Sequence, residues 1–191
     1  MFSGMNAADT EISADSADLE RRFAGIGRLY GSQALAKFTR AHICVLGIGG
    51  VGSWAAEALA RSAIGQLTLI DLDHVAESNI NRQLHALTGT LGMAKVQVMA
   101  ERILQINPAC KVTAIEEFLT IENFATLLAE KYDYIVDCID GFRTKARLIA
   151  YCRSNKYRII TVGGAGGQTD PTRIRVAAVS YTHLRAHETR R

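Results

Sequence analysis

Proline is scarce in this chain. Two prolines and 16 glycines among 191 residues exclude a Pro-rich or collagen-like polypeptide. Paired cysteines are missing: no two of Cys44, Cys110, Cys138 and Cys152 have CxxC spacing, so zinc or thioredoxin-like redox chemistry finds no support. Cys44 and Cys138 sit in apolar, strand-like runs, where cysteine serves as a small core residue. That usage fits a reducing, cytoplasmic setting. Long apolar runs are missing too. The longest uncharged stretch, Ala41 to Ala56, is broken by glycines and falls short of the ~18–20 apolar residues of a membrane span. The N-terminus has acids where a secretory signal would have a basic region and an apolar run. What remains is 48% hydrophobic and 21% charged, the composition of one soluble globular domain with room for a core.

The net charge of +3 conceals an asymmetry. Residues 1–20 carry Asp9, Glu11, Asp15, Asp18 and Glu20 without a lysine or arginine, and residues 1–19 read as a mobile acidic tail. Residues 143–175 hold eight basic residues and one acid, Asp170. Such a surface permits contact with phosphates, although a solvated helix face has the same composition.

From residue 42 onward, strand and helix signals alternate. A helical or turn segment runs first from Leu19 to about Arg40, interrupted by Gly25, Gly27 and Gly31. Strands are expected at 42–46, 66–71, 111–116, 132–137 and 158–162. Helices are expected at 51–62, with Trp54, Ala55, Ala58 and Leu59 in helical spacing, and at 94–106, near 121–130 and at 143–154. This alternation predicts an α/β fold, a Rossmann-like, doubly wound, mostly parallel sheet with helices on both faces. Val176–Val179 reads as a further strand. The final dozen residues, SYTHLRAHETRR, have no apolar periodicity and read as a non-native or disordered tail at 180–191. The domain proper is then 20–179.

Five motifs carry chemistry. Gly47-Ile48-Gly49-Gly50-Val51-Gly52 follows a strand and opens a helix. Glycines there allow a tight turn and close approach of a nucleotide to free N–H groups at a helix N-terminus. Asp71 ends the second strand, 24 residues after Gly47, where a carboxylate accepts hydrogen bonds from ribose hydroxyls of NAD or ATP alike. Asp71-Leu72-Asp73 then leads to Asn79, Arg82 and, further on, Lys95. Asn79 and Arg82 share one side of a turn at i, i+3. Two cations beside a ribose acid suit a triphosphate better than a dinucleotide, although both can also be surface cations. Asp137-Cys138-Ile139-Asp140 ends the fourth strand; Asp140 is placed to hold Mg²⁺ beside phosphates, and Asp137 to organise the loop. Gly163-Gly164-Ala165-Gly166-Gly167 offers close backbone approach or a flexible gate.

In combination, GxGGVG, IDxDxVxxSNxxRQ, a lysine and DCxD resemble the E1-like family of ATP-dependent adenylating enzymes, over roughly residues 20–178. RFAGIGRLYG (22–31), GIGGVGSWAAEALARSAIG (47–65), SNINRQLHAL (78–87), LIAYCRSNK (148–156) and GGAGGQTDPTRI (163–174) look most like the members that modify N6-threonylcarbamoyladenosine (t6A) in tRNA. The resemblance implies a cytoplasmic homodimer that uses ATP and Mg²⁺ to adenylate the threonyl carboxylate of t6A. A nitrogen of the substrate would then close a ring and release AMP. It further implies that Gly47, Gly49, Gly50 and Gly52 border the nucleotide, that Asp71 binds its ribose and that Asp73 belongs to the same nucleotide site. Asn79, Arg82 and Lys95 would hold phosphates, and Asp140 the metal. Arg28 resembles the arginine that reaches the partner subunit's ATP, with Arg22 as the second choice. Relatives also sit near a cysteine desulfurase system, although no docking motif for one is visible.

Three rival readings remain at this level. An E1-like activator of a sulfur-carrier or ubiquitin-like protein would share every motif. An NAD-dependent oxidoreductase would use Gly47–Gly52 and Asp71 but leave Asn79, Arg82, Lys95 and Asp140 without a role. A truncated ATP-binding fragment without turnover is the third.

Overall fold

The structure, a computed structural model, describes residues 18–164, 167 and 169–178. Five strands, β1 (His42–Leu46), β2 (Gln66–Ile70), β3 (Lys111–Ile115), β4 (Tyr134–Asp137) and β5 (Ile159–Thr161), form one parallel sheet in the order β3-β2-β1-β4-β5. The expected doubly wound architecture is therefore present. The central strands β1, β2 and β4 alternate their side chains between two cores. Ile43, Val45, Leu67 and Leu69 face α3 (Gly52–Arg61) and α4 (Lys95–Ile106). Cys44, Leu46, Ile70 and Ile135 face α5 (Phe124–Leu127) and α6 (Phe142–Ser154). A parallel sheet covered on both faces has no wet side, so its central strands read as continuous apolar runs. β1 lies between β2 and β4, where the direction of strand progression reverses. In an open α/β sheet the crevice at that reversal, beyond the carboxyl ends of the strands, receives ligands.

Four expectations change. Of the three glycines in the first segment, only Gly31 interrupts it: its φ of +89° separates α1 (Leu19–Tyr30) from α2 (Ser32–Phe38). Gly25 and Gly27 stay helical because α1 is fixed by its Asp18 N-cap and by buried Phe23. The face of α3 is rotated from the expected one. Gly52, Ser53, Ala56, Glu57 and Ala60 are buried, whereas Trp54 is 56% exposed. Small residues let α3 approach the sheet closely, and the indole is left to donate to the carbonyl of Arg82 at 3.1 Å. The helix near 121–130 contracts to the four residues of α5. Residues 176–178 are irregular, and Val176 is fully exposed; a strand needs a hydrogen-bonding neighbour, and among the described residues β5 has one only in β4. Of the predicted tails, 180–191 lies outside the described residues, as does 1–17; Asp18 and Leu19 cap and open α1.

Candidate nucleotide-binding cleft

A cleft of ≈ 360 Å³ opens at the carboxyl ends of β1, β2 and β4. Its walls unite Gly47, Gly49, Gly50, Asp71, Asp73, Asn79, Arg82, Lys95 and Asp140. Two of the predicted residues fall elsewhere, each for a physical reason. Gly52 sits behind the wall, where a Cβ would lie 1.8 Å from the Gly47 carbonyl oxygen. The absence of a side chain there lets the first turn of α3 close on Gly47, and Gly52 is not among the residues that line the cleft. Arg28 is exposed in the last turn of α1 and does not line the cleft. The second choice, Arg22, is engaged differently again: its guanidinium donates to the carbonyls of Gln105 and Ile106 at 3.1 and 2.8 Å. That contact satisfies the free carbonyls at the end of α4, where a cation is favoured.

The glycine turn is tight and leaves N–H groups without backbone partners among the described residues. Gly47 has a φ of +83°, and a Cβ there would press on the Cys138 carbonyl at 3.1 Å. Among the described residues the N–H groups of Gly49, Gly50, Val51 and Gly52 have no backbone acceptor, and no side chain caps α3. These are the orphan donors of a helix N-terminus, and they carry its positive dipole end. Asp71 ties the turn to β2, accepting from Ile48 N–H and, at 2.8 Å, from Asp73 N–H. Its carboxylate thus stands at the junction of turn and cleft.

The cationic side is assembled from two segments. Glu77–Asn79 forms a 3-10 turn in which buried Asn79 accepts from Ala76 N–H at 3.0 Å. Arg82 follows, its Nη1 donating to the Ser78 carbonyl at 2.8 Å and to Asn81 Oδ1 at 2.9 Å. Its aliphatic stem crosses the glycine turn: a Cβ on Gly50 would lie 3.3 Å from Arg82 Cγ. Lys95 is the first residue of α4, and its Nζ meets Asp73 Oδ2 at 2.7 Å. A buried cation at the positive end of a helix is unfavourable on its own. Such local rule-breaking is what a binding site retains. His85 is buried nearby with both ring nitrogens unpartnered among the described residues. Burial, together with the Lys95 and Arg102 charges, pushes its pKa down to about 4, so it is neutral and adds no charge.

The acidic side comes from the turn after β4. Asp140 is exposed on the cleft wall and takes part in none of the ion pairs among the described residues. Asp137 does organise the loop, as its position suggests: Oδ1 accepts from Ile139 N–H at 3.1 Å and Oδ2 from buried Lys145 at 2.7 Å. Cys138 also lines the cleft. Burial first, then the Asp137 carboxylate, pushes its thiol up to about 11, so it stays protonated at neutral pH and is a poor nucleophile. Sequence reasoning passed over Lys145, which pairs with Asp137 and does not line the cleft, and, among the lining residues, Gln83 and the Glu117-Phe118-Leu119 wall. The last of these follows β3, and strand order alone, once known, locates it at the same sheet end.

The ThiF family model matches residues 21–188. The chain is 58% identical to the tRNA threonylcarbamoyladenosine dehydratase of Haemophilus influenzae over 85% of its own length and 62% of the relative's. Its fold superposes on the crystal structure of the Escherichia coli tRNA N6-threonylcarbamoyladenosine dehydratase in complex with ATP. The TM-score is 0.83 at 57% identity, covering 86% of this chain and 68% of that one. Against the Escherichia coli sulfur carrier protein ThiS adenylyltransferase the identity falls to 34%, over 69% of this chain and 53% of the relative. The chain thus spans about three fifths of the length of the curated dehydratase relative it matches. On the extent of the family match and the arrangement of the cleft, the chain belongs to the ThiF family.

Proposed function

We propose that the cleft binds ATP and that the chain catalyses the ATP-dependent dehydration of t6A in tRNA. The observation that carries the reading is the convergence of Asp71, Arg82, Lys95 and Asp140, distant in sequence, on one cleft beside a glycine turn. A ribose acid with two cations and a free carboxylate answers a nucleoside triphosphate, and a dinucleotide leaves three of the four without work. The 58% identity to a dehydratase, against 34% to a sulfur-carrier activator, favours the nucleoside as the adenylated substrate.

In the reaction, the threonyl carboxylate oxygen attacks the α-phosphorus of ATP. The bond to the β-phosphate breaks and pyrophosphate leaves. A nitrogen of the substrate then attacks the acyl carbon, AMP leaves with the carboxylate oxygen, and a ring closes with net loss of one water. Arg82, Lys95 and the N–H groups of the glycine turn would meet the charge that builds on phosphate oxygens; such fixed donors are the main stabilisation available. Asp140 suits a hard cation such as Mg²⁺, which takes oxygen ligands and is held by one or two carboxylates plus phosphates. When bound, the metal supplies charge neutralisation at the phosphates. No protein nucleophile enters, in keeping with the protonated thiol of Cys138.

The test is to incubate the purified chain with t6A-bearing tRNA, ATP and Mg²⁺, digest the RNA and analyse the nucleosides by mass spectrometry. A species lighter by one water, formed only with ATP, is the expected product. Stimulation of ATP turnover by a sulfur-carrier protein and not by tRNA would replace this reading with its rival.

We further place Arg28 in the cleft of a partner subunit in a homodimer. α4 starts at the cleft with Lys95, and Arg22 of α1 binds its other end, roughly 18 Å away. An exposed arginine on α1 that does not line its own cleft is available to another. Arg28→Ala and Asp140→Ala chains, each inactive alone, are expected to regain activity when co-assembled, because one of the two sites in the mixed dimer is then intact. Failure to regain it would exclude an arginine acting in trans.

A further inference from the structure

The basic segment at 143–175 has a structural consequence at the mouth of the cleft. α6 begins there: Gly141 and Thr144 line the cleft, and the helix runs away from it for 13 residues. Its sequence, FRTKARLIAYCRS, contains no acid. Lys145 turns inward to Asp137, but Arg143 and Arg147 are exposed and form no ion pair among the described residues. They lie one turn apart, about 6 Å along the axis. Arg143 occupies the first turn, where helices favour acids and a cation opposes the dipole. Beside it Phe142 is 56% exposed, and at the cleft wall Phe118 is 62% exposed.

Cations that join no ion pair among the described residues, and an open aromatic ring, beside the proposed nucleotide cleft, match single-stranded RNA. Phosphates answer the guanidiniums and bases stack on the ring. We propose that the exposed face of α6, at Phe142, Arg143 and Arg147, receives the RNA strand that flanks the modified nucleoside. The proposal rests on the tRNA reading above and adds to it the surface that holds the substrate. It assigns these residues binding and no chemistry.

The test measures binding of t6A-bearing tRNA by the full chain across a salt series, alongside ATP affinity. Arg143→Gln/Arg147→Gln is expected to weaken tRNA binding at least about fivefold and to flatten the slope of log affinity against log salt by ~1.4, since each lost phosphate contact on a single strand removes ~0.7. ATP affinity stays unchanged. Phe142→Ala is expected to weaken tRNA binding about fivefold or more with the slope intact, as loss of stacking does. An unaltered slope and affinity in the double variant overturn the assignment of α6 while leaving the tRNA reading standing. A wild-type chain with no affinity for tRNA overturns both. Competition by polyglutamate as strong as by RNA would assign the strip to an acidic protein instead.

Discussion

Asp140→Ala abolishes AMP formation and leaves the melting temperature nearly unchanged: that is the expected result for a carboxylate that holds a metal and supports no structure. Its side chain is exposed on the cleft wall and joins no ion pair among the described residues. Surface substitutions of that kind alter stability by about 0.5 kcal/mol or less. On the proposed function the chemical loss is of another order, because the charge on the transferring phosphates would lose its counter-ion site. Arg82→Ala is expected to behave in the same way. Among the described residues its guanidinium bonds to Ser78 and Asn81 within its own turn, and removing one fixed donor from a charged transition state costs ~10²–10³ in rate. Chelating the divalent cation from the wild-type assay should reproduce the Asp140→Ala result. The measurements are AMP release and thermal unfolding on the same samples. An Asp140→Ala chain that still makes AMP would remove the metal from Asp140, and a variant that melts early would move the residue into the scaffold.

The cleft was largely legible in the chain because its residues obey short-range rules. A glycine turn between strand and helix, an acid ending the next strand and an acid ending the fourth each announce themselves by their place in a β-α-β alternation. The alternation in turn fixes which ends of the strands face the ligand. Asn79 and Arg82 were legible for the same reason, since a turn brings i and i+3 together. What was not legible depends on distances across the fold. Gly52 has the same local signature as Gly49, yet a Cβ at Gly52 meets the Gly47 carbonyl at 1.8 Å and one at Gly49 meets nothing within 4 Å. Their roles divide only once the turn has closed. Arg22 and Arg28 lie on one helix, and sequence ranks them by resemblance alone; the fold commits Arg22 to the end of α4. Trp54 has the volume of a core residue and ends up outside, because α3 presents its small residues to the sheet.

Lys145 is the largest omission, and its removal is expected to do the most damage to the fold. Lysine in a basic segment reads as a solvated residue, but this one is buried, with Nζ 2.7 Å from Asp137 Oδ2. Lys145→Met preserves much of the stem and deletes the charge, leaving a carboxylate uncompensated beneath the glycine turn. Breaking a buried pair in this way costs about 3–5 kcal/mol, which for a chain of this size lowers the melting temperature by roughly 6–20 °C. Lys145→Met combined with Asp137→Leu removes both charges and should recover most of that loss, since an apolar replacement of a buried pair is often neutral. Activity should not recover with it. Asp137 Oδ1 also accepts from Ile139 N–H, and that bond fixes the turn carrying Asp140, one residue further on. Stability without activity in the double variant would separate the two functions of Asp137, as counter-charge and as anchor of the turn. A double variant as unstable as the single one would mean that the backbone anchor, and not the charge pair, holds this end of the sheet together.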